Sequence, residues 1–276
     1  MREIDGSAIT ALIEQHIAVI ARNAEESCAA RLKELADSES NPTAAFALKV
    51  MCDNIDVAAA KGYPVCQDTG MAVVFAEIGS DVRINGDIYE AINEGVRRAY
   101  APLRKSVLDP ITRVNTRDNT PAVIHLSMTK GSTIKLEIML KGFGSENMSK
   151  VYMLNPAQGL EEAKRLIVRT VEEAGSNPCP PVIVGVGLGG TFEKACMMSK
   201  HALFRKIGSR NDDAELDAIE RELLDKINAL GIGAQGFGGK ATALGVFIEK
   251  YPTHISSLPV AVNILCHCSR CAIVTI

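Results

Sequence analysis

Segments with the apolar spacing of helices alternate with short apolar runs typical of strands through most of this sequence. Helical spacing is clearest at residues 42–62, 156–175 and 212–230. Strand-like runs lie at residues 71–78, 181–187 and 259–265. Because interleaved segments of this kind fold as helices packed on sheets, we predict an α/β (mixed α+β) fold. We expect a single domain over residues 1–276, with a helical N-terminal part at about residues 1–62.

Two further strand-like segments lie close together in the sequence. Residues 123–128 and 133–140 flank Lys130-Gly131, and a short connection that contains glycine is typical of a hairpin. We therefore expect these two segments to pair with each other in a sheet.

Composition and charge exclude several classes of function. The net charge at pH 7 is −3, so no overall positive field would attract nucleic acid or anionic lipid. Aromatic residues make up only 4% of the chain and tryptophan is absent, so surfaces for base stacking are scarce. No apolar run is long enough to span a membrane, and the first residues do not resemble a signal peptide. We expect a cytoplasmic protein with neither nucleic acid nor a membrane as its partner.

One glycine-rich segment has the spacing of a nucleotide site but lacks the rest of that motif. Residues 185–190 follow a strand-like run and fit the GxGxxG pattern of dinucleotide-binding proteins. The same spacing recurs at residues 231–236, and the acidic residue expected about 20 positions further on is missing. We interpret these glycines as tight turns, with an anion site at a helix start or a nucleotide site as the alternatives.

The eight cysteines divide by their sequence surroundings. Three lie in helical patterns beside apolar residues and are interpreted as packing residues: Cys28, Cys52 and Cys196. The other five lie in loop-like segments: Cys66 in PVCQDTG, Cys179 in NPCPP, and Cys266, Cys268 and Cys271 in the tail CHCSRC. Loops that carry reactive side chains on a rigid scaffold are typical of functional sites.

Thiols on three separate loops suit an iron–sulfur cluster better than zinc. The tail alone would be half of a zinc site, and a second cysteine pair at short spacing is missing. A 4Fe–4S cluster with three thiolate ligands leaves one iron without a protein ligand, and that iron can act as a Lewis acid. The spacing alone leaves zinc binding and simple packing open.

Five long motifs occur in a fixed order along the chain: PVCQDTG at 64–70, NTRDNTPA at 115–122, KGFGSENMS at 141–149, NPCPPVIVGVGLGGTFEKA at 177–195 and IGAQGFGGKATALGV at 232–246. With YPTH and CHCSR after them, they resemble the α-subunit of the iron–sulfur-dependent (class I) fumarate hydratase family. The α-subunit of L-tartrate dehydratase is a sister with similar cysteine loops, but KGFGSENMS is more similar to the fumarase version, KGGGSENMS. The resemblance implies a hydro-lyase that adds water reversibly to fumarate and gives L-malate.

The resemblance also implies a cofactor and its ligands. It assigns Cys66, Cys179 and Cys266 as the ligands of a 4Fe–4S cluster. Cys268 and Cys271 replace residues that are not cysteine in the family's tail motif, so either could substitute for Cys266.

Roles at the substrate follow from the same motifs. Asp68 would be a catalytic acid–base partner of the hydroxyl, and His254 of YPTH would be a second catalytic residue in contact with the substrate. Substrate binding is implied for Gln67, for Arg104 on a carboxylate, and for Gly144 through its backbone N–H. A dicarboxylate requires cations and fixed donors of this kind.

A partner subunit is the last implication. Single-chain members of the family carry a further domain that supplies the base, and no segment of this sequence resembles it. We therefore expect a β-subunit that completes the active site, in a heterotetramer. The alternatives are an L-tartrate dehydratase α-subunit and, from another class, a non-catalytic iron–sulfur sensor.

Overall fold

Helices and strands alternate along the chain, so the mixed α/β class predicted from the sequence is confirmed. The computed structural model describes residues 1–276. These separate into two units, each with its own hydrophobic core. The first unit comprises Met1–Glu25, Ile55–Phe143 and Arg270–Ile276, and the second comprises Glu26–Asn54 and Gly144–Ser269.

The elements have the following bounds. The helices are α1 (Gly6–Ile20), α2 (Glu26–Ser38), α3 (Pro42–Lys61), α4 (Ile88–Ala99), α5 (Phe143–Glu146), α6 (Gly159–Ala174), α7 (Phe192–His201) and α8 (Ala214–Asn228). The strands are β1 (Arg2–Asp5), β2 (Met71–Gly79), β3 (Val82–Asn85), β4 (Val123–Thr129), β5 (Ile134–Lys141), β6 (Lys150–Leu154), β7 (Val182–Gly189), β8 (Ala243–Tyr251), β9 (Leu258–Leu265) and β10 (Cys271–Thr275). None of the helices is both long enough and apolar enough to cross a membrane.

The main sheet of the first unit has the strand order β10-β5-β2-β4, so the predicted pairing of β4 with β5 is wrong. Strand β2 lies between them, parallel to β4 and antiparallel to β5. The side chains explain this order. Strands β2 and β5 are largely buried and occupy the centre, whereas most of β4 is exposed, as suits an edge strand.

Helix α1 packs on α4 and contributes to the core of the first unit. Its isoleucines recur at the spacing of one helical face, and Ile9, Ile13 and Ile17 are completely buried. At the crossing, a Cβ on Gly95 of α4 would lie 2.7 Å from the Thr10 carbonyl oxygen. Only glycine therefore allows this close approach of the two helices.

The sheet of the second unit has the order β6-β9-β7-β8, with β7 parallel to β8 and antiparallel to β9. The glycine-rich segment lies in β7 and at its end. A Cβ on Gly187 would lie 2.0 Å from the Ala195 carbonyl oxygen, so glycine here allows α7 to pack directly on the strand. Gly189 and Gly190 have φ of +86° and +72° and form the tight turn that the sequence predicted, whereas Gly185 and Gly187 lie within the strand and not in a turn.

Candidate active site

The Asp68 carboxylate is held by two backbone donors in the loop that precedes β2. Its Oδ1 accepts the Gly70 N–H at 2.9 Å, and its Oδ2 accepts the Phe143 N–H at 2.7 Å. The backbone carbonyl oxygen of Asp68 also accepts a hydrogen bond of 2.6 Å from Arg270 Nη1. The carboxylate is therefore fixed in orientation, as a group that exchanges a proton with a bound molecule requires.

Arg270 is a buried cation beside this carboxylate, and it is not among the site residues predicted from the sequence. The side chain is 1% exposed, and its Nε has no hydrogen-bond partner. A Cβ on Gly142 would lie 3.2 Å from Asp68 Oδ2 and 3.3 Å from Arg270 Nη2, so both groups face one narrow space. The arginine of the CHCSR tail could have indicated this role. Its partner Asp68 lies about 200 positions earlier, so the contact could not be recognised from the sequence.

A buried network ties the Asp68 loop to the segment that carries Arg104. Thr69 Oγ1 donates to the Arg104 carbonyl oxygen at 2.7 Å. Asn119 is completely buried, and its side chain accepts the Ser106 N–H at 2.6 Å and donates to the Gly70 carbonyl oxygen at 3.1 Å. This network accounts for the second asparagine of the NTRDNTPA motif, because Asn119 joins two loops that bear predicted site residues.

Tyr100 holds the loop of Asp68 through a hydrogen bond to the backbone. Its hydroxyl donates to the Thr69 carbonyl oxygen at 2.7 Å, and burial raises the pKa of the phenol. The folded state then keeps the Tyr100 proton, which the unfolded state loses above about pH 10. The contribution of Tyr100 to the free energy of unfolding is therefore fully present below pH 10 and is lost as the pH rises above it.

We expect Tyr100→Phe to lower the free energy of unfolding by about 1–2 kcal/mol at pH 8, through the lost hydrogen bonds. The difference in unfolding free energy between the variant and the parent chain should then narrow by about 1.4 kcal/mol at pH 11, because only the parent has a buried phenol at position 100 that ionises on unfolding. Urea denaturation of the metal-free chain at the two pH values measures both effects. Tyr63→Phe is the control, since Tyr63 is exposed, and an equal narrowing there would contradict the assignment.

Asp68 and Arg104 line a cavity of about 410 Å³ in the first unit. Its lining residues are Gln67, Asp68, Arg104, Lys105, Ser106, Leu108 and Asn115. Three of the predicted site residues are therefore together in one cavity, with a second cation beside them. Cys66 precedes them in the same loop, and its thiol lies 3.6 Å from Gln67 Oε1.

The other predicted residues belong to the second unit. Cys179 is exposed between two buried prolines, and Cys266 is partly exposed directly after β9. Gly144 lies in α5, where a Cβ would be 3.7 Å from the Asn177 carbonyl oxygen, so Gly144 adjoins the Cys179 loop. Cys268, by contrast, is 5% exposed.

His254 is exposed in the loop between β8 and β9. Its Nδ1 accepts the Ser256 N–H at 3.3 Å and lies 2.7 Å from Ser256 Oγ. Because Nδ1 is an acceptor, a neutral His254 carries its proton on Nε2. That nitrogen is then a neutral donor, which suits contact with a carboxylate.

The donor chemistry of the loop cysteines fits an iron–sulfur cluster. All eight cysteines are thiols, and the predicted ligands Cys66, Cys179 and Cys266 are exposed or partly exposed, whereas Cys28 and Cys52 are buried in helices. Thiolates on rigid loops are the ligands that such clusters use. The structure contains no group of three or more His, Cys, Asp or Glu side chains placed to hold a metal ion.

A second cavity, of about 480 Å³ in the second unit, contains none of the predicted residues. Its charges compensate one another within the protein. Arg210 and Arg221 both pair with Asp217, and the hydrogen bond from Arg210 lowers the pKa of Asp217 to about 2. The lining as a whole carries three arginines and three carboxylates, with Arg31 paired to Glu34 as well, so this cavity has no net charge to attract a charged substrate.

A cavity that brings a fixed carboxylate, two cations and amide side chains together has the composition of a binding site for a small organic anion. A family model described as fumarate hydratase (Fumerase) matches residues 10–275, so the chain belongs to this family of hydro-lyases.

Two relatives show how similar the chain is to named members. A Methanocaldococcus jannaschii protein provisionally named L(+)-tartrate dehydratase subunit alpha is 43% identical over 251 residues, which cover 88% of each chain. The L(+)-tartrate dehydratase subunit alpha of Escherichia coli K12 is 30% identical over 268 residues, which cover 95% of this chain and 88% of that protein. The two names and the family name agree on the reaction class and differ in the substrate.

Proposed function

We propose that this chain is the α-subunit of a two-subunit hydro-lyase that interconverts fumarate and L-malate in the cytoplasm. The observation that carries the proposal is the Asp68 carboxylate, oriented by two backbone donors in a cavity that also holds Arg104 and Lys105. A second candidate, dehydration of L-tartrate, is supported by the names of the two relatives. Both substrates are four-carbon dicarboxylates, so the same cavity chemistry suits either.

Hydration of a double bond forms one C–O bond and one C–H bond. One proton must leave the attacking water, and one must reach the neighbouring carbon. We assign the proton of the water or hydroxyl to Asp68, because its carboxylate is within the cavity and held in one orientation. Proton transfer by a positioned carboxylate of this kind contributes about 10²–10⁴-fold to a rate.

The substrate carboxylates are assigned to donors on the chain. Arg104 forms an ion pair with one carboxylate, and Gln67 donates from its amide in the same cavity. Gly144 offers its backbone N–H from the first turn of α5, where N–H groups lack partners within the helix. His254 donates through Nε2, because Nδ1 is occupied by Ser256.

Cys66, Cys179 and Cys266 are the proposed ligands of a 4Fe–4S cluster, which when bound supplies a Lewis acid for the substrate hydroxyl and carboxylate. The exposed or partly exposed state of these three thiols supports their assignment over the buried Cys28, Cys52 and Cys268.

We propose that the partner subunit supplies the group that gives a proton to carbon in hydration and removes it, as a base, in dehydration. The partner would also supply further cations, and the two subunits would form a heterotetramer. The relatives are named as alpha subunits, which supports a β-subunit partner. In the cavity of this chain, Asp68 is the sole carboxylate, so it would have to serve both proton transfers if it acted alone.

We therefore expect the cluster-loaded chain, kept anaerobic, to show no measurable turnover of fumarate alone and to become active when its β-subunit is added. Formation of malate is measured for fumarate and dehydration for L-tartrate, each with and without the partner. Full activity of the separated chain would show that the base lies within these 276 residues and that the two-subunit proposal is wrong. A faster reaction with L-tartrate would select the second candidate, and no reaction with either substrate would support a non-catalytic sensor.

A further inference from the structure

The segment that carries Cys179 has few backbone groups with which to hold its own shape. Within NPCPP, Pro178, Pro180 and Pro181 have no N–H, so Asn177 and Cys179 are its only backbone donors. The Cys179 N–H donates to the Ser176 carbonyl oxygen at 3.1 Å. Cys179 has φ of +56°, a left-handed conformation that is unfavourable for a residue other than glycine. Hydrogen bonds from other parts of the second unit can therefore hold the segment through its carbonyl oxygens.

Two residues supply the donors of such hydrogen bonds. The Pro180 carbonyl oxygen accepts the backbone N–H of Gln235 at 2.8 Å and its side-chain Nε2 at 3.4 Å, and the Cys179 carbonyl oxygen lies 2.9 Å from His267 Nδ1. Because a carbonyl oxygen can only accept, His267 must carry a proton on Nδ1 and donate it. Pro178 and Pro180 are buried while Cys179 is exposed, so these contacts hold the segment with its thiol outward.

The contact of Gln235 gives a structural role to the IGAQGFGG motif, which has no role in the proposed mechanism. Gln235 lies in this motif, and its φ of +53° is again left-handed. In the same turn, a Cβ on Gly236 would lie 2.6 Å from the Ser176 Cβ, so glycine is needed for the turn to approach the Cys179 loop. This motif is therefore a backbone support for the proline-rich segment.

His267 is anchored on its other side as well. Its own carbonyl oxygen accepts a hydrogen bond of 3.0 Å from the thiol of Cys28, which is completely buried in α2. It also follows Cys266 directly in the chain. The side chain of His267 thus contacts one proposed ligand loop, while its backbone belongs to the other.

We propose that His267 is a positioning residue, which fixes the loop of Cys179 relative to Cys266 before any cluster is bound. The proposal rests on the proposed function for the identity of the two ligands, but the contact itself belongs to the metal-free chain. Loss of the His267 donor removes the hydrogen bond to the Cys179 carbonyl oxygen and leaves the two bonds from Gln235 to the Pro180 carbonyl oxygen in place. The expected result is more frequent local opening of this loop and a less stable seat for the cluster.

Hydrogen exchange of the full-length, metal-free chain tests the contact without any cluster. We expect the peptide over residues 176–182 to exchange roughly three- to tenfold faster in His267→Ala, the effect of losing one hydrogen bond. His267→Asn should restore slow exchange, because its side-chain amide places a donor close to the position of Nδ1. His16→Ala, on α1 in the first unit, is the matched control and should leave this peptide unchanged. Unchanged exchange in His267→Ala would overturn the proposal.

A second measurement connects the contact to the cluster. After anaerobic reconstitution, iron loss to a chelator is expected to be roughly three- to tenfold faster in His267→Ala than in the parent chain, with rescue by His267→Asn. Faster exchange with unchanged iron loss would overturn the role of His267 toward the cluster. Retention of the cluster by Cys179→Ser would instead overturn the ligand assignment in the proposed function, and the exchange result would still stand. The two failures are therefore distinguishable.

Discussion

Replacement of Cys66, Cys179 or Cys266 by serine is expected to abolish cluster binding, and with it all hydro-lyase activity. Thiolate sulfur is the ligand that iron–sulfur clusters select, and a serine hydroxyl of nearly the same size stays protonated near neutral pH. The parent chain, purified anaerobically, should be brown and contain about four iron and four sulfide per chain. Each of the three variants should contain close to none, as measured by iron and sulfide analysis and by the visible spectrum.

The buried cysteines provide matched controls for this experiment. Cys28→Ser should keep the cluster, because Cys28 lies in a helix and a serine hydroxyl can still donate to the His267 carbonyl oxygen. Cys268→Ser tests the tail, since Cys268 is buried two positions after Cys266. A cluster that survives Cys266→Ser but not Cys268→Ser would move the third ligand to Cys268. Zinc without sulfide in the native protein would contradict the cluster altogether.

The second large effect is expected for Asp68→Asn, which should lower kcat of the assembled complex about 10²-fold or more while the cluster is retained. Asparagine keeps the size of the side chain but cannot exchange a proton at this position. Its amide nitrogen would also face either the Gly70 or the Phe143 N–H, both of which now donate to a carboxylate oxygen. The measurement is steady-state turnover of fumarate, together with iron content and circular dichroism of the same sample.

Asp109→Asn is the control for the loss of a carboxylate held by backbone donors. Asp109 Oδ1 accepts the N–H groups of Ile111 and Thr112 at 3.0 and 2.7 Å, and Asp109 does not line the cavity. A single oxygen serves both donors, so asparagine can keep them, and turnover should stay within about twofold of the parent. Equal losses in the two variants would show that loss of a carboxylate from this unit is enough to lower turnover. Changed iron content or circular dichroism in Asp68→Asn would show that its loss comes from loop structure and not from proton transfer.

Much of the fold could be predicted from local signals in the sequence. The proline at 42 and the glycine at 62 predicted a helix that the structure has as Pro42–Lys61, because proline suits the first helical turn and glycine follows its end. Strand β10 was not predicted, since its residues have no alternating pattern and are ordered by pairing with β5. The predicted β4–β5 hairpin was wrong, because strand pairing is decided by burial across the sheet and not by closeness in sequence.

The candidate site could be predicted only in part. Motif resemblance identified Gln67, Asp68 and Arg104, and the structure brings these three into one cavity. The supports of that cavity were missed, because Asn119 and Arg270 act on residues far away in the sequence. A buried amide or guanidinium has the same one-letter code as an exposed one, so only the folded chain distinguishes them.

The strand order of the first unit has a consequence for how the protein is made. Its central strand β5 pairs with β10, and the partners Met139 and Cys271 are separated by the whole contiguous stretch Gly144–Ser269 of the second unit. A ribosome therefore finishes that stretch before it releases the residues that complete the first sheet. Pairings of such long sequence separation form slowly, since the chain entropy is lost before the contacts are gained. The guanidinium that contacts Asp68 arrives with the same final segment, so a nascent chain has its cysteine loops before it has a finished carboxylate site.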